Sequence, residues 1–118
     1  MTREQFNEMY NTAILKIAVG FYILDTCGEQ LGFDPNTVQQ NKKMLCGILA
    51  EGINVSLETI YYDAICIQLK HSYIMQLRRS GLLEELIQDM RIIANENKQQ
   101  LGYNFTWQLG YNLLYWLY

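Results

Sequence analysis

The stretch Ile17-Ala18-Val19-Gly20-Phe21-Tyr22-Ile23-Leu24 decides the fold, because nearly every position in it is apolar. Apolar residues continue outward from it at spacings of three, four and seven, from Phe6 to Leu31, which is the period of an α-helix. A helix that is apolar all round has neighbours on most sides. The sequence therefore predicts a central helix. Gly20 is unfavourable within it, and we expect it to allow the close approach of another helix.

Glycines and helix-capping residues divide the rest of the chain. Each of the glycines Gly32, Gly52, Gly81 and Gly102 follows a run with helical spacing, and a glycine ends a helix at low steric cost. Helix starts are indicated by Thr2, which begins a capping box, by Asp34 followed by proline, and by Ser56. Five segments result, and the third is predicted to be one helix from Ser56 to Gly81.

The last segment is rich in aromatic residues and has two interpretations. We predict that Asn104 caps a final helix that runs to the C-terminus. The alternative is a pair of strands, because aromatic residues favour strands and Gly110 is poor in a helix. The helix is the better prediction, since a lone hairpin would have little to pair with in a helical domain.

Length and composition favour one globular domain. The chain has 118 residues, of which 50% are hydrophobic and 18% are charged, and its net charge is −3. A chain of this size buries about two-thirds of the surface that it exposes when unfolded. We therefore predict a single all-α domain over residues 1–118, a bundle of about five helices that are antiparallel to their neighbours because the connections are short.

Charge and cysteine content argue against several classes of protein. Acidic residues outnumber the scattered basic ones, so nucleic-acid binding is not expected. Cys27, Cys46 and Cys66 form no Cys-x-x-Cys motif, and the first eight residues contain acids that a signal peptide lacks. No apolar run reaches the length of a membrane span. We expect a cytoplasmic protein with no membrane span.

Few residues suggest catalysis or metal binding. His71 is the sole histidine, so sites that need two imidazoles are excluded, and no metal or cofactor is predicted. The best enzymatic candidate is a polar stripe on the third helix, formed by Thr59, Asp63, Cys66 and Lys70 and flanked by Tyr62 and Tyr73. In this alternative, the stripe lines a pocket between helices and belongs to an enzyme or a small-ligand-binding protein.

The aromatic C-terminus gives the leading functional hypothesis. Residues 103–118 carry no charge and include both tryptophans, and the aromatic residues that we expect at an interface are Phe105, Trp107, Tyr111, Tyr115 and Trp116. One short helix with aromatic residues on every side does not bury all of them in a small core. We expect a non-catalytic binding or regulatory protein that contacts a partner protein or itself, as a homodimer or a higher oligomer.

Overall fold

A long central helix organises the molecule. The computed structural model describes residues 1–30, 32–96 and 101–114, with side chains described except at 30, 71, 73, 74, 77, 93–96 and 101–104. The first helix, α1, spans Arg3–Gln30. Its residues Ile17, Phe21 and Leu24 are completely buried, and α1 contacts four other helices. The prediction of a central helix at residues 17–24 is confirmed.

The described residues form six helices and contain no strand. After α1 come α2 (Pro35–Leu49), α3 (Leu57–Leu69), α4 (His71–Ser80), α5 (Leu82–Glu96) and α6 (Leu101–Leu114). The all-α bundle predicted from the sequence is confirmed, and so is the helical form of the C-terminal segment. The connections between α1 and α4 are short, as expected.

The predicted helix starts are confirmed at three places. Gln5 N donates to Thr2 Oγ1 at 3.1 Å while Thr2 N donates to Gln5 Oε1 at 2.9 Å, which is the reciprocal pattern of a capping box. Asp34 accepts a hydrogen bond from Thr37 N at 2.7 Å, and this bond lowers the pKa of the Asp34 carboxyl. Ser56 caps α3 through Thr59 N at 3.2 Å.

The predicted helix ends are only partly correct. Gly32, Gly52 and Gly81 have φ angles of 76°, 84° and 78°, a backbone conformation that favours glycine. Gly102 was expected to end a helix and Asn104 to begin the next, but both lie inside α6, which starts at Leu101. The helix predicted between Ser56 and Gly81 is two helices, because Lys70 adopts φ −83° and ψ 86°.

Close packing at Gly20 joins three helices. A methyl group at this position would overlap Leu45 Cδ2 of α2 and lie 2.8 Å from Leu113 Cδ1 of α6. Gly110 of α6 leaves room on the other side, where a methyl group would lie 2.9 Å from Ile48 Cγ2 and 3.4 Å from Leu45 Cδ1. Leu45 is therefore enclosed between two glycines on different helices. The close approach expected at Gly20 is confirmed.

Within the described part of the chain, no helix is both long enough and apolar enough to cross a lipid bilayer.

Candidate interaction surface

Helix α6 has one face in the core. Phe105, Leu109 and Leu113 follow one another at four-residue intervals and are at most 1% exposed. Phe105 forms a T-shaped pair with Phe33, with ring centroids 6.5 Å apart. Phe105 was expected to be an interface residue, but its position in the core leaves it unavailable to a partner. The reason is that Phe105 shares the face of α6 that packs into the bundle.

The opposite face of α6 is open to solvent. Trp107, Tyr111 and Leu114 are 45%, 50% and 40% exposed, and their spacings of four and three place them along one side of the helix. We call these three residues the α6 stripe. Tyr115 and Trp116, which were also expected at an interface, lie outside the described residues. Exposed apolar side chains in one row are typical of contact surfaces.

Buried polar contacts fix the orientation of α6 in the bundle. Thr106 Oγ1 donates a hydrogen bond to Asn41 Oδ1 of α2 at 2.7 Å, and both side chains are buried. A buried polar pair of this kind fixes the rotation of one helix against another, because any other rotation leaves its polar atoms unsatisfied. The side chain of Asn112 adds a weaker contact to Met90 Sδ of α5 at 3.6 Å. The α6 stripe is therefore presented by a helix whose rotation is fixed.

Lys16 of α1 contacts the last described residue of α6. Its Nζ atom donates to the carbonyl oxygen of Leu114 at 3.0 Å, although the side chain is only 7% exposed. Burial lowers the pKa of this amine. Lys16 was not identified as a site residue in the sequence, although it is the lone charge within an apolar run.

The described residues of the polar stripe predicted on α3 take part in different contacts. Tyr10 Oη donates a hydrogen bond to Asp63 Oδ2 at 2.5 Å, so this carboxylate joins α3 to α1. Cys66 is half-buried and raises the pKa of Tyr62 through a side-chain hydrogen bond. Lys70 is exposed at the break between α3 and α4, and the Tyr73 side chain lies outside the described part of the structure.

The described residues line open clefts elsewhere on the molecule, of which two bear on function. The larger, of about 830 Å³, lies between the first half of α1, the turn after α2 and the end of α6, and it includes Met9, Lys16 and Ile53. The smaller, of about 440 Å³, includes Asp25, Glu29 and Tyr61. Asp63, Cys66 and Lys70 line neither cleft. The sequence analysis identified neither cleft, although Asp25 and Glu29 are spaced one helical turn apart.

Among the described residues, no group of three or more His, Cys, Asp or Glu side chains is arranged to hold a metal ion. Comparison of the chain with protein-family models, with curated proteins and with solved structures gives no match.

Proposed function

We propose that this chain is a small non-catalytic binding protein that acts through protein contacts and associates with a second copy of itself through the α6 stripe. The supporting observation is the exposure of Trp107, Tyr111 and Leu114 on a helix whose opposite face is buried. Large aromatic side chains of this kind supply most of the energy at protein interfaces. Their partial exposure in the single chain leaves apolar surface to be covered.

A second copy fits this surface in charge and in symmetry. Helix α6 contains no Lys, Arg, Asp or Glu, so two identical stripes meet without repulsion between like charges. A two-fold axis brings the same patch of both copies together, and an uncharged apolar row is complementary to itself. The lack of basic residues in α6 argues against an anionic lipid surface or a nucleic acid as the partner.

We expect the proposed dimer to be weak. Trp107 and Tyr111 are each about half exposed, which is roughly 100 Å² per residue. A stable interface buries about 800 Å² per partner, so the α6 stripe is the centre of a contact that needs a polar rim. We therefore expect association at micromolar concentrations.

Analytical ultracentrifugation tests the proposal over a concentration range from about 1 µM to about 500 µM. We expect the mass of the unaltered protein to rise from monomer towards dimer, and the double variant Trp107→Gln, Tyr111→Gln to remain monomeric. Tyr62→Gln is the matched control, because Tyr62 is 68% exposed on α3 and lies outside the stripe. Both variants change exposed rings, so the far-ultraviolet circular dichroism is expected to be unchanged.

Two results would contradict the proposal. One is an unaltered protein that stays monomeric over the whole range, and the other is a double variant that associates as strongly as Tyr62→Gln. Deletion of residues 105–118 is not a suitable test, since it removes Phe105, Leu109 and Leu113 from the core. Point substitutions on the exposed face separate association from folding.

A further inference from the structure

The cleft of about 440 Å³ lies where the end of α1 faces the start of α2 and the first turns of α3. This volume is within the range of small-molecule sites in proteins. Its walls include the carboxylates of Asp25 and Glu29 and the aromatic rings of Phe33 and Tyr61. Carboxylates beside aromatic faces are the groups that recognise organic cations, through charge and through the electron-rich faces of the rings.

The two rings are held in position by the core. The rings of Phe33 and the buried Phe105 are nearly perpendicular, with an interplanar angle of 85°, and the Phe33 backbone N–H donates to the Gly28 carbonyl at 2.9 Å. Tyr61 lies against the buried Phe21, with ring centroids 5.3 Å apart. A ligand that enters the cleft therefore meets rings that are already ordered, and binding requires little further loss of side-chain freedom.

The electrostatics of the cleft favour a positive ligand. Asp25 is already bonded, because Lys42 Nζ lies 2.9 Å from Oδ1 and Gln68 Nε2 donates to Oδ2 at 2.7 Å. Glu29 is exposed and no ion pair with a described residue is found for it. It also lies in the last two turns of α1, where the helix dipole is negative and the final turn has no basic residue.

The positive end of α2 does not cancel this field. The Asp34 carboxylate caps that end and accepts a hydrogen bond from Thr37 N. In the wall of the cleft, Lys42 already shows the kind of contact that a ligand would make. Its ammonium group lies between the Asp25 carboxylate and the Phe21 ring, 5.3 Å from the ring centroid. The same chemistry is repeated one helical turn further along α1, with Glu29 as the carboxylate.

We propose that the cleft between α1, α2 and α3 binds a small organic ammonium ion, with Glu29 as its carboxylate partner and Phe33 and Tyr61 as its aromatic walls. This site is independent of the α6 stripe, and it uses none of the residues that we propose for self-association. The ammonium group can belong to a free amine or to a lysine side chain, because the cleft would recognise the same charged group in both.

Isothermal titration calorimetry with phenethylammonium chloride tests this proposal, and phenethyl alcohol is the uncharged control of similar shape. We expect saturable binding of the amine and at least tenfold weaker binding of the alcohol, as a rough figure for loss of the charge. Glu29→Gln is expected to weaken binding of the amine by about threefold to tenfold. Glu51→Gln, the same change at an exposed residue outside this cleft, is expected to leave binding unchanged.

Chemical-shift mapping by nuclear magnetic resonance locates the site and gives a readout that does not depend on affinity. We expect the largest changes at Phe33, Tyr61 and Glu29. A parallel titration uses lysine whose α-amino and α-carboxyl groups are blocked, so that the side-chain ammonium group remains free. Comparison of its affinity with that of phenethylammonium distinguishes a lysine side chain from a free amine as the source of the ammonium group. The proposal is overturned if the amine does not bind, if the alcohol binds equally well, or if Glu29→Gln and Glu51→Gln behave alike.

Discussion

Substitution of Gly20 by alanine is the most direct test of the packing that orients α6. The new methyl group would overlap Leu45 Cδ2 and lie 2.8 Å from Leu113 Cδ1. Both leucines are fully buried, so neither has free space into which to move. Overpacking of this kind costs about 1–3 kcal/mol, whereas replacing glycine by alanine inside a helix gains about 1 kcal/mol. The net of the two terms is a loss of up to about 2 kcal/mol in the free energy of unfolding, and we expect Gly20→Ala to show it.

Gly47 provides the matched control for this substitution. It lies within α2, and a methyl group there would have no atom within 4 Å. Only the gain in helix propensity remains, so Gly47→Ala is expected to stabilise the protein by about 0.5–1 kcal/mol. The two variants carry the same chemical change and are expected to shift stability in opposite directions. Urea unfolding followed by circular dichroism measures both shifts.

Removal of the obstructing side chain tests the cause of the effect. In a Leu45→Ala background, the methyl group at position 20 no longer meets Cδ2, and the contact with Leu113 remains. We expect the cost of Gly20→Ala to fall by about 1–2 kcal/mol in that background, which is a coupling of the size seen between contacting residues. The reasoning is refuted if Gly20→Ala stabilises the protein as Gly47→Ala does, or if its cost is the same with and without Leu45.

Two further predictions concern polar contacts. Thr106→Val keeps the shape of the side chain but leaves the buried Asn41 Oδ1 atom without its donor, so the free energy of unfolding is expected to fall by about 1–3 kcal/mol. Thr106→Ser retains the hydroxyl and is expected to retain most of the stability. Equal losses of unfolding free energy in the two variants, measured by urea unfolding, would contradict this prediction. Burial, together with the hydrogen bond to Asp63 and its charge, raises the pKa of Tyr10 from 10.0 to about 12. The unfolded chain releases this proton near pH 10 and the folded chain does not, so stabilisation by Tyr10 is complete below pH 10 and is lost as the pH rises to about 12. The free energy of unfolding, measured in urea at about pH 9 and about pH 11, is expected to fall less between these two pH values in Tyr10→Phe than in the unaltered protein. Identical falls in the two proteins would exclude this role of Tyr10.

The sequence was sufficient to predict helices, the starts of α1, α2 and α3, and the central position of α1. These features depend on local signals, namely the capping side chains of Thr2, Asp34 and Ser56 and the apolar run at residues 17–24. The break at Lys70 has no such signal, because neither proline nor glycine is present and the apolar spacing continues through it. It depends on tertiary packing, since α4 turns to contact α5 as well as α3.

The sequence predicted which residue types the candidate interaction surface on α6 contains, but not which side of α6 faces the core. The uncharged aromatic segment was evident, and Trp107 and Tyr111 are indeed exposed. Aromatic residues on every side of a helix do not indicate which side faces the core, and for that reason Phe105 was misplaced. The Asn41–Thr106 contact joins residues 65 positions apart, and no spacing rule within one helix could reveal it.

The enclosure of α1 has a consequence for the synthesis of the protein. Helix α1 is complete when residue 30 has been made, but the leucines of α6 that cover it are added only by residue 114. At translation rates of about 5–20 residues per second, the interval is roughly 4–17 s. Until then, the part of α1 that packs against α6 lacks this native cover. Molecular chaperones that shield nascent apolar segments would therefore act on α1 during that interval.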